Sequence, residues 1–156
     1  MKVQILAVGK ARGPLAAAIT EYERRAAHYW KISVEEVASG TKSTSGDPGL
    51  VMKAEGQRII TRIPKDFEVV ALTRSGSGMD SRGFARYLGK RAENASAGIA
   101  FIVGGAYGLG EAVLSQTHRK LALSPMTLPH QVARLVLAEQ LYRAGTILRG
   151  EPYHKG

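Results

Sequence analysis

The sequence predicts an α/β fold, a mainly parallel sheet flanked by helices, and three observations predict it. Short runs rich in Val, Ile and Leu recur along the chain, among them VQILAV, FEVVAL and IAFIV. Longer segments between them repeat their apolar residues at helical spacing. Clusters of glycine and other turn formers separate the two kinds of segment. Strands that alternate with helices pair in parallel, because a parallel neighbour needs a long crossover and a helix supplies it. A chain of 156 residues with 44% hydrophobic content suits one domain, 1–156, with a core of ordinary size.

Taken in order, residues 3–8 read as the first strand, closed by Gly9. Residues 14–29 read as a helix with Leu15, Ile19, Tyr22 and Ala26 on one stripe, and residues 32–37 return as strand. The stretch SGTKSTSGDPG (39–49) contains only turn formers and polar residues, so a mobile loop is expected. A helix over 50–62 and a third strand over 67–72 follow. TRSGSGMDS then reads as a glycine-rich loop in which Asp80 or Ser81 caps a helix running to about residue 91. The wholly apolar run 99–103 is the fourth strand and ends at Gly104-Gly105. A short helix over 111–116, a fifth strand over 121–123 and a long helix over 129–148 complete the series.

Several function classes fall away. The chain has no cysteine, which removes disulfides and thiolate chemistry and points to a reducing compartment, and its four scattered histidines make no metal-ligand spacing. The opening apolar stretch is too brief for a signal sequence, and no segment approaches the ~20 apolar residues of a membrane span. The sequon Asn94-Ala95-Ser96 carries no weight without a secretory signal. Lysine and arginine total 22 against 13 acids, a formal charge of +9. That excess favours a nucleic-acid or phosphate-bearing partner over a neutral metabolite.

Three loops lie beyond the carboxyl ends of predicted strands, where α/β sheets hold ligands. They follow Leu72, Val103 and Leu123. Glycines in GGAYGLG stand in the wrong order for a dinucleotide fingerprint, and a glutamate occupies the place of the Walker lysine, so the turn either approaches some other ligand or merely reverses the chain. No nucleophile elbow occurs. LALSPMTLPH (121–130) spends two prolines and no formal charge on entering the long helix, drier than a loop usually is. On that helix Val132, Leu135, Val136, Leu141, Ala144 and Leu148 supply apolar faces broad enough for the sheet and a partner subunit. Glu139 and Arg143 are one turn apart, an ordinary surface pair or part of a site. Tyr153 and His154 follow a proline in a tail where fraying is the ordinary fate.

FIVGGAYGLG, LALSPMTLPHQVARLVLAEQLYRA and PYHKG, with the opening MKVQILAVGK, resemble the RlmH-type large-subunit ribosomal RNA methyltransferases of the SPOUT class. The resemblance covers essentially the whole chain and is strongest over its last third. It implies an S-adenosylmethionine-dependent enzyme of the cytoplasm that methylates N3 of a pseudouridine in 23S rRNA, acting as a homodimer on the assembled ribosome without metal or membrane. It also implies a deep trefoil knot in the C-terminal part of the fold, which no periodicity could suggest. Carried over by motif, the adenosine is cradled by backbone at Leu72, Gly105 and the run Ser124, Pro125, Met126, Thr127 and Leu128. Apolar walls and main-chain donors suit adenine, and the prolines limit the entropy lost on binding. A side chain at Gly105 is then expected to fill adenosine space and leave the fold intact. By the same resemblance Arg143, Tyr153 and His154 are catalytic, with Glu139 orienting Arg143 and His154 suited to accept a proton. Many relatives carry Asp and Lys where this chain has Thr73 and Ser77, so those two side chains inherit no role.

Overall fold

The computed structural model describes residues 1–41 and 46–155. Part of the stretch expected as a mobile loop, residues 42–45, lies outside the described residues. Five strands form one sheet: β1 (Lys2–Val8), β2 (Lys31–Val37), β3 (Glu68–Gly78), β4 (Gly98–Val103) and β5 (Arg119–Ala122). Their order is β2-β1-β4-β3-β5 and every neighbouring pair is parallel. The helices are α1 (Ala16–Ala26), α2 (Pro48–Ile60), α3 (Ser81–Glu93), the single turn α4 (Glu111–Leu114) and α5 (His130–Leu148).

Alternation along the strands builds two apolar layers. Val3, Ile5, Phe101 and Val103 join one cluster with Leu88 of α3 and Leu137 and Leu141 of α5. Leu6, Val8 and Ile102 join the other, with Ile59 of α2 and Val113 of α4. All of β4 is buried, as a central parallel strand covered on both faces must be. The rim of Phe84 meets the face of Phe101 at 5.9 Å between ring centroids, which seats α3 on β4.

Element boundaries depart from expectation at several places. The first helix opens with a 3₁₀ turn, Gly13–Leu15, and ends at Ala26, three residues before 29. Helix α2 starts at Pro48 because the Asp47 side chain accepts from Gly49 N at 2.9 Å and caps it. The short fourth helix stops at Leu114. The largest difference is β3, which continues to Gly78 where the sequence reads as loop. Leu121 pairs with both Leu72 and Ser77, so residues 73–76 leave the ladder as an arm and return to it. Gly76 makes this possible, since a Cβ there would come 2.6 Å from the carbonyl carbon of Lys120. β5 correspondingly begins at Arg119, two residues early.

Helix α5 lies between α1 and α3. Leu141 and Ala144 are buried on it as expected, Val132, Leu135 and Val136 are half-buried, and Leu148 is 46% exposed. The nearly buried Arg134 bonds Glu23 of α1 through two nitrogens at 3.1 Å and Glu36 of β2 at 2.6 Å. Trp30 Nε1 donates to Leu141 O at 2.9 Å.

Gly145 tests the closeness of α1 and α5. Alanine would gain about 1 kcal/mol of helix propensity, but its Cβ would overlap the Tyr29 ring, and overpacking costs about 1–3 kcal/mol. Urea unfolding of Gly145→Ala should therefore show a net loss of stability. An unchanged or raised midpoint would mean that Tyr29 yields freely.

Candidate active site

A cleft of about 900 Å³ opens at the carboxyl ends of β4, β3 and β5. Val103 leads into a turn in which Gly105 and Gly108 bridge antiparallel and Gly108 adopts φ +80°. A Cβ at Gly104 would lie 3.0 Å from the carbonyl carbon of Gly108, so glycine is what lets the turn close. The second wall is the β3 arm, from Leu72 to Ser75. The third is the approach to α5, where the Ser124 hydroxyl accepts from Met126 N at 2.9 Å and bends the chain.

Of the residues expected to hold adenosine, Leu72, Gly105, Ser124, Met126, Thr127 and Leu128 line this cleft. Pro125 does not; it stands exposed on the outside of the same bend. Leu72, Val103, Leu121, Leu123 and Ala133 supply apolar wall; among the described residues no acidic or lysine side chain lines it, and Arg74 does. The volume lies within the usual range for small-molecule and cofactor sites. The expectation for a side chain at Gly105 is corrected: its Cβ would point at Glu55 Oε1 (2.9 Å) and Val8 (3.0 Å), into the packing of α2. A side chain there crowds Glu55 and Val8 rather than the cleft. Thr73 buries its hydroxyl without a partner, while Ser77 is exposed and paired through its backbone.

A second group assembles around Glu139. Its Oε1 accepts from Arg143 at 2.6 and 2.9 Å and from the Tyr153 hydroxyl at 3.1 Å; its Oε2 accepts from Gln140, whose Oε1 takes the Ser81 hydroxyl at 2.6 Å. Hydrogen bonding to Glu139 holds the Arg143 guanidinium firmly protonated. Desolvation, then hydrogen bonding to Tyr22 and the Glu139 charge, pushes the Tyr153 phenol well above its ordinary value, so it stays a donor. The Arg143 guanidinium lies 4.9 Å from the centre of the Tyr153 ring, which packs 4.5 Å from that of Tyr142. His154 is half-buried with Nδ1 enclosed and without a hydrogen-bond partner.

The tail is not frayed. Pro152–His154 forms a 3₁₀ turn, Glu151 N bonds Thr146 O at 2.9 Å, and the Tyr29 hydroxyl donates to Glu151 at 2.5 Å. Sequence reasoning missed this clamp, along with Gln140 and Ser81. Ordinary-looking polar residues far apart in the chain gave no signal beyond Tyr29 closing the α1 segment.

Within one chain the two groups do not meet. His130 and Ala133 of α5 line the cleft, while Arg143 lies ten to thirteen residues further along, about 15–20 Å at 1.5 Å per residue. Among the described residues no cluster of His, Cys, Asp or Glu could hold a metal, and no helix is long and apolar enough to cross a membrane.

The family model described as "Predicted SPOUT methyltransferase" matches residues 1–154. A ribosomal RNA large subunit methyltransferase H from Gemmatimonas aurantiaca is 51% identical over 157 residues, covering 99% of this chain and 100% of that protein. One of the same name from Clostridium kluyveri is 38% identical over 159 residues, with the same coverage. Among solved structures, a putative methyltransferase from Legionella pneumophila in complex with the bound cofactor SAM superposes with TM-score 0.52 at 9% identity, over 90% of this chain and 65% of that one. A probable methyltransferase from Bordetella pertussis gives 0.51 at 18% identity, over 92% and 95%. These two likenesses concern the fold.

The tail clamp has a pH signature. Hydrogen bonding to Glu151, more than burial, pushes the Tyr29 phenol up to about 12 from 10.0. Its folded value is raised, so its contribution to stability is complete below about pH 10 and is lost as pH rises through about 12. Urea midpoints should fall across that window in the unaltered protein and more gently in Tyr29→Phe; parallel curves would show that the clamp does not titrate.

Proposed function

Because this chain belongs to the SPOUT methyltransferase family, we propose that it uses S-adenosylmethionine to methylate N3 of a pseudouridine in 23S rRNA, on the assembled ribosome in the cytoplasm. The observation that carries this reading is the separation of a dry cleft from a polar tail cluster. A cofactor with an apolar adenine fits the first, and a nucleobase that must be gripped, oriented and deprotonated fits the second. The formal charge of +9 supports a polyanionic substrate.

Leu72, Gly105, Ser124, Met126, Thr127 and Leu128 would hold the adenosine, the leucines walling the ring and the backbone bonding its edge. When bound, the cofactor supplies an electrophilic methyl group carried on a sulfonium. The chain must then orient N3, remove its proton and stabilise the charge that develops on the uracil oxygens. Arg143, held by Glu139, offers a fixed guanidinium to the phosphate or the developing anion. Tyr153 presents a ring and a hydroxyl that stays protonated, suited to stacking on or hydrogen-bonding a base. His154 is the side chain that accepts the N3 proton; its Nδ1 is enclosed, so Nε2 is the ring nitrogen left to meet the base.

Because cleft and tail stand apart in one chain, the reading includes an isologous homodimer in which each cleft is completed by the other subunit's tail. Half-buried Val132, Leu135 and Val136 and exposed Leu148 are the apolar surface available on α5. The trefoil threading belongs to the same reading. Its support is the chain's membership of the SPOUT family.

The experiment is single-turnover transfer of labelled methyl to ribosomes lacking the modification. Deleting residues 152–156 should leave cofactor affinity nearly intact and abolish transfer, and His154→Ala should cost roughly 10²–10⁴-fold with an altered pH profile. A wild-type rate and profile in His154→Ala would remove it as the base. A mixture of a cleft-defective and a tail-defective protein should regain activity when subunits exchange, and no regain would contradict the shared site.

A further inference from the structure

Two cationic loops converge on the end of α5 that walls the cleft. Residues 10–12 follow β1 and are bonded to Gln131 in the first turn of α5, and residues 73–75 belong to the β3 arm that walls the cleft, so the two loops leave the sheet on opposite sides of β4. The first loop is pinned by its backbone: Gln131 Nε2 donates to Lys10 O at 2.8 Å, Arg12 N donates to Gln131 Oε1 at 3.4 Å, and Ala11 N donates to Glu36 at 2.8 Å. In the second, Arg74 donates to Thr127 Oγ1 at 3.0 Å. Thr127 and Gln131 are one helical turn apart at the start of α5.

The backbone of the first loop is thus fixed while the Lys10 and Arg12 side chains are left free, and the Arg74 guanidinium is steadied by Thr127. Lys10, Arg12 and Arg74 are all exposed, and among the described residues none forms an ion pair. Arg24, Arg25, Arg62, Arg91, Arg134 and Arg143 all do. Glu36, the carboxylate facing the first loop, is already engaged by Arg134 and Ala11 N. Apart from Arg74 on its arm wall, the described lining of the cleft carries no formal charge, so a base could enter it while its sugar-phosphate chain stays at the rim.

We infer that Lys10, Arg12 and Arg74 grip backbone phosphates of single-stranded RNA on either side of the nucleotide that enters the cleft. The inference rests on RNA being the substrate. Cations held on a pinned frame position a strand without reading its sequence, which is the division of labour expected between phosphate and base contacts. Arg74 has a second acceptor at hand in Thr127, so its planar donor fork can hold the arm and a phosphate together.

The test is ribosome binding measured across a potassium chloride series, with S-adenosylmethionine affinity measured separately. Lys10→Ala/Arg12→Ala should make the log–log salt slope shallower by about 1 per cation removed and leave cofactor affinity unchanged, while Lys53→Ala/Lys65→Ala, with the same loss of charge elsewhere, should leave the slope near wild type. Arg74→Lys should retain more of the slope than Arg74→Ala. A wild-type slope in the Lys10/Arg12 variant, or an equal change in the Lys53/Lys65 control, overturns the grip and leaves the methyl-transfer reading standing. Unaltered protein that neither binds nor methylates ribosomes overturns that reading and the grip with it.

Discussion

Arg134 is a charge that α5 carries into the packed side of the sheet, and a guanidinium there would cost several kcal/mol if left unpaired. Glu23 takes it through a two-pronged contact and Glu36 through a third bond, so one side chain ties α5 to α1 and to β2 at once. The pair is weak evidence for stability by itself, since a well-packed apolar substitute would do as well. Its consequence is registry. Leu137 and Leu141 could pack in more than one way, but a buried fork with two fixed acceptors admits one rotation and one axial position of the helix. Everything functional hangs on that position, because α5 walls the cleft at one end and carries Glu139, Arg143 and the docked tail at the other.

The charges are sorted accordingly. Inside the cleft, leucine, valine, alanine and glycine stand beside Thr73, Ser75, Ser124 and Thr127, with Arg74 the one formal charge in the described lining. Lys10 and Arg12 stand exposed without an ion pair, and in the tail cluster Glu139 and Arg143 hold each other. An apolar pocket binds a flat heterocycle largely by excluding water, and a buried unpaired charge would oppose that. Outside, screening within about 8–10 Å at physiological salt limits each cation to what comes near it, so rim charges must sit close to the entrance to act on a strand entering there. Pinning residues 10–12 to Gln131 and Arg74 to Thr127 meets that requirement.

The sheet was legible because buried parallel strands are written as unbroken apolar runs, and residues 99–103 lie wholly buried as such a run implies. The dry bend 124–128 was legible for a similar reason: prolines without charge ahead of a helix signal a wall, and four of its five residues line the cleft. The β3 arm was not, since Thr-Arg-Ser-Gly-Ser reads as turn and its strand character comes from β5, a partner some 45 residues away. Nor was the direction of a Cβ at Gly105, which depends on Glu55 and Val8. The tail reads as frayed from its place in the chain, and contacts to Glu139, Tyr142 and Thr146 of α5 and to Tyr29, 122 residues from Glu151, hold it down. What sequence missed in each case was a long-range contact that local propensity does not encode.

The separation of cleft and tail is itself set by helix geometry. A rigid α5 fixes its first turn and Arg143 about 15–20 Å apart, and the tail cannot fold back to bridge them while Glu151 is clamped to Tyr29 and Tyr153 to Glu139. A chain that must bring both groups to one base can unclamp the tail, or it can meet a second copy whose α5 supplies the missing end. Unclamping would forfeit two hydrogen bonds and the stacking of Tyr153 on Tyr142, each contributing about 0.5–1.5 kcal/mol. Pairing would instead cover Val132, Leu135 and Val136, half-buried on one side of the same helix. That route removes apolar surface from water and keeps each tail rigid, which is why the proposed function includes symmetric association.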